Sequence, residues 1–223
     1  MKVSTGSGFI DTLLEGGYDN DVITTIYGPP GSGKTNFCIM AMTAVKDKKI
    51  LYVDTEGSFS VARFKQVCPN YQELLDRVIF LTPTTYDEQR EAFEFMRKVV
   101  DDKFGLVIID SIASLYRLEL AANNDVQNVN RTLGLHLAML TEVSRKNKIP
   151  VLLTNQVYAD FEDRERTRTI GGDLMKYWSR TMLEIQKMKG DLRKVTVVKH
   201  RSMPEGKFAV FRIVQTGIEE VNG

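Results

Sequence analysis

The chain has 223 residues, 43% hydrophobic and 26% charged, a composition that suits a globular protein with one substantial core. Its 30 lysines and arginines against 29 aspartates and glutamates leave a net charge of +1, so a nucleic-acid partner would have to be met by a local patch and not by a global excess. Cys38 and Cys68 form no CxxC, which argues against a disulfide framework or cysteine metal site, and no run approaches the ~18 apolar residues of a membrane span or opens the chain as a signal peptide.

In chain order, short apolar runs alternate with helical patterns. Residues 22–27 (VITTIY), 49–54 (KILYVD), 77–82 (RVIFLT), 106–110 (LVIID) and 151–156 (VLLTNQ) read as strands. Each is almost continuously hydrophobic, as a strand buried on both faces must be. Residues 34–45 are apolar nearly all round, which predicts a buried helix with Cys38 as a small hydrophobe and Met40 and Met42 as gap-fillers. Residues 86–101 open on a Thr85–Glu88 capping box and carry Ala92, Phe93, Met96, Val99 and Val100 at helical spacing. Residues 125–146 place Val126, Val129, Leu133, Leu137, Leu140 and Val143 on one face, and His136 beside that stripe reads as structural. Pro150 stops the helix, and Tyr177 with Trp178 is expected to pack a further helix on the sheet. Beyond residue 180, TMLEIQKM, KVTVVKH and KFAVFRIV alternate and are divided by short glycine turns. The expectation is one α/β domain over 1–223, a mostly parallel twisted sheet flanked by helices, with antiparallel C-terminal strands.

Directly after the first strand comes GPPGSGKT, Gly28 to Thr35, matching GxxxxGK[ST] between a strand and a helix. Gly28, Gly31 and Gly33 allow backbone N–H groups to turn inward around phosphate oxygens, with Pro29, Pro30 and Ser32 completing the loop. The following helix, with Asn36 in its first turn, adds its positive end. Lys34 reaches the β- and γ-phosphates, and Thr35 offers a hydroxyl to Mg²⁺. Asp110, ending LVIID, is the carboxylate expected to share that metal. Hydrolysis needs a group that positions or deprotonates water. Glu56 past the second strand is the favoured base, with Asp54 its rival, and Gln156 at the end of the fifth strand is the favoured γ-phosphate sensor.

With these motifs in order, the sequence resembles the RecA-like recombinases. It is most similar to the RadB group, short archaeal paralogues of the RadA recombinase. STGSGFIDTLLEGG, GPPGSGKT, YVDTEGSF, LVIIDSIASLYR, PVLLTNQV and TIGGDLMKYWSRT carry the resemblance over nearly the whole chain. It implies a RecA-like P-loop core, ATP and Mg²⁺ as cofactors, Glu56 as catalytic glutamate and Gln156 coupling γ-phosphate to DNA. It also implies that Arg63 packs on adenine and that two loops face DNA, at roughly 117–126 and 158–170. Because the resemblance opens almost at the ATPase core, it implies a chain without the helical N-terminal DNA-binding domain and the polymerisation linker of full recombinases, and LELAANND in the first loop has no basic run. The resemblance therefore implies a cytoplasmic repair and recombination accessory, binding single- and double-stranded DNA. It would assist a RadA-type recombinase, with a Holliday-junction resolvase as a further partner, as a homodimer or mixed assembly. Two other readings stay open: another RecA-fold ATPase, helicase-like or clock-like, and a nucleotide-switched interaction module with negligible turnover.

Arg164, Arg166 and Arg168 alternate in the second loop and, if extended, share one side for DNA. Tyr158 and Phe161 are the stacking candidates, and Lys187, Lys189, Arg193 and Lys194 add charge around a turn. In VVKHRSMPEG, Lys199 and Arg201 are two apart on a strand and so project together, with His200 turned away. In RecA-like ATPases such a K-x-R pair reaches a neighbour's γ-phosphate, and Pro204 and Glu205 resemble the loop that caps a neighbour's adenine. The expected role is charge neutralisation in trans.

Overall fold

The structure is a computed structural model that describes residues 1–159 and 167–221. Its elements in chain order are β1 (Lys2–Val3), α1 (Gly8–Leu13), β2 (Tyr18–Asp19), β3 (Ile23–Gly28), α2 (Lys34–Ala44), β4 (Lys49–Asp54), α3 (Val61–Val67), α4 (Tyr71–Leu75) and β5 (Val78–Leu81). There follow α5 (Tyr86–Val99), β6 (Phe104–Asp110), α6 (Ser114–Ala122), α7 (Val126–Asn147), β7 (Val151–Ala159), β8 (Thr167–Thr169) and α8 (Gly172–Trp178). The last four are β9 (Thr181–Lys187), β10 (Leu192–Lys199), β11 (Phe208–Val214) and β12 (Gly217–Glu220). All five expected parallel strands and the three C-terminal ones form, along with short elements whose sequences carry weaker periodicity.

One sheet runs β12-β11-β10-β9-β3-β7-β6-β4-β5, with β8 paired to the far end of β7. The pairs from β9 through β3, β7, β6 and β4 to β5 are parallel; β9, β10, β11 and β12 pair antiparallel with one another. The expected fold class is therefore the observed one. β1 and β2 make a separate antiparallel pair.

Strand residues alternate between two cores. Tyr52, Leu106, Ile108 and Leu152 face α1, α2 and α3, while Leu51, Val53, Val107, Ile109, Val151 and Leu153 face α5 and α7. This two-sided burial is why the strands are apolar throughout. α2 buries Phe37 to Met42 without a break, including Cys38 and both methionines, and each large side chain contributes roughly 1.5–3 kcal/mol by burial.

The helices depart from their expected stripes in three places. Val126 is 48% exposed, because it is the first residue after the N-cap Asp125, whose side chain accepts from Asn128 N at 3.0 Å. Gln89 and His136 are instead buried among the apolar residues of α5 and α7. At the start of α5, Thr85 Oγ1 accepts from Glu88 N at 3.1 Å, but the Glu88 carboxylate turns to Thr84 N and Thr84 Oγ1, one residue outside the expected box. Trp178 packs on the second core as expected, whereas Tyr177 stands 70% exposed at the end of α8. No helix among the described residues is long and apolar enough to cross a membrane.

Candidate nucleotide site

The carboxyl ends of β3, β4, β6 and β7 bring the expected residues together. Gly28 ends β3, and the loop to Lys34 turns through Gly31 (φ +69°) and Gly33 (φ +108°), left-handed values open to glycine at little cost. Ile213 Cδ1 would stand 3.0 Å from a Cβ at Gly33, so the C-terminal sheet closes on the loop. Lys34 Nζ donates to the carbonyls of Gly28 and Pro29 at 3.0 and 3.1 Å, and burial lowers its pKa while Glu56 and Asp110 oppose the shift. Ser32 is fully buried in the loop and its hydroxyl has no partner among the described residues.

Thr35 and Asp110 meet as expected: Thr35 Oγ1 donates to Asp110 Oδ2 at 2.8 Å. Three further hydroxyls converge on that carboxylate. Tyr52 OH donates to Oδ2 at 2.8 Å, Ser58 Oγ to Oδ2 at 3.3 Å, and Thr154 Oγ1 to Oδ1. Burial pushes the Tyr52 phenol well above its ordinary pKa, so it stays a donor. None of these three was singled out from sequence. The available signal was a polar atom inside a strand destined for burial on both faces, which must find a partner there.

Glu56 and Gln156 are in contact: Gln156 Nε2 donates to Glu56 Oε1 at 2.9 Å, and Ser111 Oγ donates to the same oxygen. The rival base has other work. Asp54 accepts the backbone amides of Glu56 (3.2 Å) and Ser58 (3.1 Å) on Oδ1 and of Phe59 (3.0 Å) on Oδ2, so it caps the turn that presents Glu56. A cavity of about 550 Å³ opens over Glu56 and Gln156, with Thr82, Thr84 and Leu118 along its wall.

The donors and acceptors suit a magnesium polyphosphate. A glycine loop opens on a helix start, a lysine sits over it, a buried hydroxyl has no partner, and a threonine–carboxylate pair lies beside them.

The other expected site residues have partners of their own. Arg63 Nε donates to Asn36 Oδ1 (2.8 Å), Nη1 to Gln66 Oε1 (3.0 Å) and the Gln215 carbonyl (2.9 Å), and Nη2 to the Gly217 carbonyl (2.9 Å). It braces α2 and α3 against the β11–β12 turn. Lys199 and Arg201 do not project together. The register slips between Val197 and Lys199 and β10 ends there, so the two-residue period lapses. Lys199 Nζ donates to the Lys176 carbonyl, whereas Arg201 pairs with Asp19 (3.2 Å) and Asp21 (3.5 Å) of its own chain. His200, expected to turn away, meets the same Asp19 at 3.3 Å. The first DNA loop is mostly helix, since residues 117–122 belong to α6. Of the second, residues 158–159 and 167–169 pair as the ends of β7 and β8 in the register Tyr158↔Arg168, beside Asn155 Nδ2 on the Ile170 carbonyl at 2.8 Å. Phe161, Arg164 and Arg166 lie outside the described residues.

A parallel sheet extended by antiparallel strands, with these residues at its carboxyl edge, makes this a RecA-like α/β protein. The Rad51 family model matches residues 1–221. The chain belongs to that family and, within it, to the RadB group of DNA repair and recombination proteins. It is 42% identical to the DNA repair and recombination protein RadB of Methanococcus maripaludis strain C7, over 96% of this chain and 98% of the other. It is 38% identical to the protein of that name from Thermococcus kodakarensis, over 98% and 99%. A crystal structure of the RadB recombinase superposes with a TM-score of 0.84 at 36% identity, covering 99% of this chain and all of the other.

Proposed function

We propose that this chain is a slow ATPase acting as an accessory in DNA repair and recombination. ATP binds in the Gly28–Asn36 loop, through Pro29, Pro30, Gly31, Ser32, Gly33 and Lys34. Thr35 and Asp110 hold Mg²⁺, which neutralises charge on the β- and γ-phosphates. Glu56 is the general base. Its Oε1 already accepts from Ser111 and Gln156, which leaves Oε2 for the proton of the attacking water. Gln156 senses the γ-phosphate by exchanging its bond to Glu56. Since Gln156 also accepts Ile170 N on its backbone carbonyl at 3.2 Å, the same residue is tied to the β7–β8 pair, and the proposed DNA contacts are Arg164, Arg166 and Arg168.

The observation that carries this reading is the Glu56–Gln156 contact beside a metal-ready Thr35–Asp110 pair. DNA binding, single- or double-stranded, rests on the family, as do a RadA-type recombinase and a Holliday-junction resolvase as partners and the cytoplasm as the place of action. In a homodimer or mixed assembly, Lys199 and Arg201 act on a neighbour's nucleotide once released from Lys176 and Asp19.

Steady-state phosphate release with and without single-stranded DNA tests the proposal. Wild type is expected to turn over slowly and be stimulated several-fold. Glu56→Gln is expected to bind ATP normally and lose ~100-fold or more in turnover. Tight ATP binding without hydrolysis would make the chain a nucleotide-switched interaction module. Robust turnover indifferent to DNA would make it a different RecA-fold motor.

A further inference from the structure

β9 pairs in parallel with β3 up to Tyr27↔Glu184, one residue before β3 gives way to the glycine loop. β9 itself runs on to Lys187. Its last residues therefore continue past the end of β3 and form one wall of the loop. Two glycines measure the approach. A Cβ at Gly28 would lie 2.3 Å from the Ile185 carbonyl oxygen, and a Cβ at Gly31 would lie 3.2 Å from Lys187 Nζ and 3.7 Å from its Cε. The Lys187 ammonium thus stands directly over the Gly31 backbone, in space that any larger residue at position 31 would contest. The loop carries a left-handed glycine at that position, so residue 31 places no side chain between the cation and the loop backbone.

Lys34 reaches the same loop from the other side, on Gly28 and Pro29. Both ammonium groups therefore border the Gly28–Gly31 backbone, Lys34 through two carbonyls and Lys187 beside Gly31. Two cations held near one loop repel until an anion lies between or beside them, and a polyphosphate relieves that repulsion in proportion to its charge. Only one of the two belongs to the GxxxxGK[ST] motif. In the sequence Lys187 is simply the first of four basic residues around the β9–β10 turn, but the parallel pairing with β3 carries it to the loop.

We propose that Lys187 is a second phosphate-contacting cation of the nucleotide site, supplied in cis by the strand beside the loop. The inference rests on the nucleotide-binding reading given above and deepens it. It assigns a cationic residue of the site that comes from the chain's own sheet, while Lys199 and Arg201 are held on their own chain. The ligand class is a nucleoside polyphosphate, and the preference is for the more highly charged form.

The test is equilibrium titration of the full chain with fluorescent ATP and ADP analogues in Mg²⁺ at low salt. Lys187→Met keeps the apolar stem at an exposed position and removes the charge. It is expected to weaken triphosphate binding by roughly 5-fold, a screened single-charge effect, and diphosphate binding by less. The difference should shrink as salt is raised. Lys187→Arg is expected to restore affinity, and Lys189→Met, two residues on, to leave it at the wild-type value. Wild-type affinity in Lys187→Met, with binding lost in Lys34→Ala, would overturn this inference and leave the nucleotide-binding reading standing. An equal loss in Lys189→Met would overturn it too, by showing a diffuse field instead of a contact. No binding of either analogue by wild type would overturn both.

Discussion

His136 offers a quantitative test of how α5 and α7 pack. It is 1% exposed, wedged edge-on between Phe93 (4.7 Å) and Tyr86 (5.4 Å), and neither ring nitrogen has a partner among the described residues. Burial first, and then the charge of Arg90, lower its pKa from 6.5 to about 4. The folded state therefore keeps the ring neutral, while the unfolded chain takes up a proton as pH falls below about 6.5. A depressed histidine contributes no loss above that value; stability falls progressively toward pH 4. The protonation penalty reaches about 2 kcal/mol at pH 5 and about 3 kcal/mol below pH 4. His136→Leu removes the titration. At pH 7.5 it is expected to lie within about 1 kcal/mol of wild type, since two unpartnered polar atoms give way to an apolar group of similar size. At pH 5 it should gain about 2 kcal/mol on wild type, or roughly 4–8 °C in Tm. Urea unfolding of both proteins at the two pH values measures the difference, and carboxylates common to both cancel. A variant-minus-wild-type difference that is the same at pH 5 and pH 7.5 would refute the neutral, desolvated histidine.

Two further outcomes follow from the hydrogen-bond geometry. Tyr52→Phe deletes one buried donor to Asp110 and is expected to cost about 1.5–3 kcal/mol, visible as a lower Tm; an unchanged Tm would mean that Asp110 does not depend on that hydroxyl. Asp19→Asn should destabilise by about 2 kcal/mol in urea unfolding, because this 5%-exposed carboxylate holds both His200 and Arg201, whereas Asp21→Asn on the half-exposed partner should cost under about 1 kcal/mol; equal effects would contradict the assignment of Asp19 as the anchor.

The sheet was legible because two-sided burial forces continuous apolar runs, and VITTIY, KILYVD, LVIID and VLLTNQ all became strands close to their expected limits. The core of the candidate site was legible for a related reason. Residues at the carboxyl ends of neighbouring parallel strands must share one edge, which brought Thr35 to Asp110 and Glu56 to Gln156. What could not be read were contacts fixed by strand order across the sheet. Tyr52 and Thr154 look like any residues of an apolar run until β4, β6 and β7 lie side by side and aim both at Asp110. Arg201 and His200 failed for a local reason. The period-two rule was applied two residues beyond the end of β10, where a register slip and the buried Asp19 decide where the side chains go. The approach of Lys187 to the glycine loop could not be read for the same reason as the Tyr52 contact: the two are far apart in sequence.

The four hydrogen bonds of Arg63 have a thermodynamic consequence. A free arginine side chain carries about 2 kcal/mol of rotamer entropy, which a stacking ligand must ordinarily suppress. Here Asn36, Gln66, Gln215 and Gly217 have already fixed the guanidinium in the folded chain. The N–H vectors of a guanidinium lie in its plane, so bonds made along them leave its two faces to packing. Whatever flat ring comes to rest on Arg63 meets a cation whose ordering was completed by folding, and its affinity is not reduced by that cost a second time.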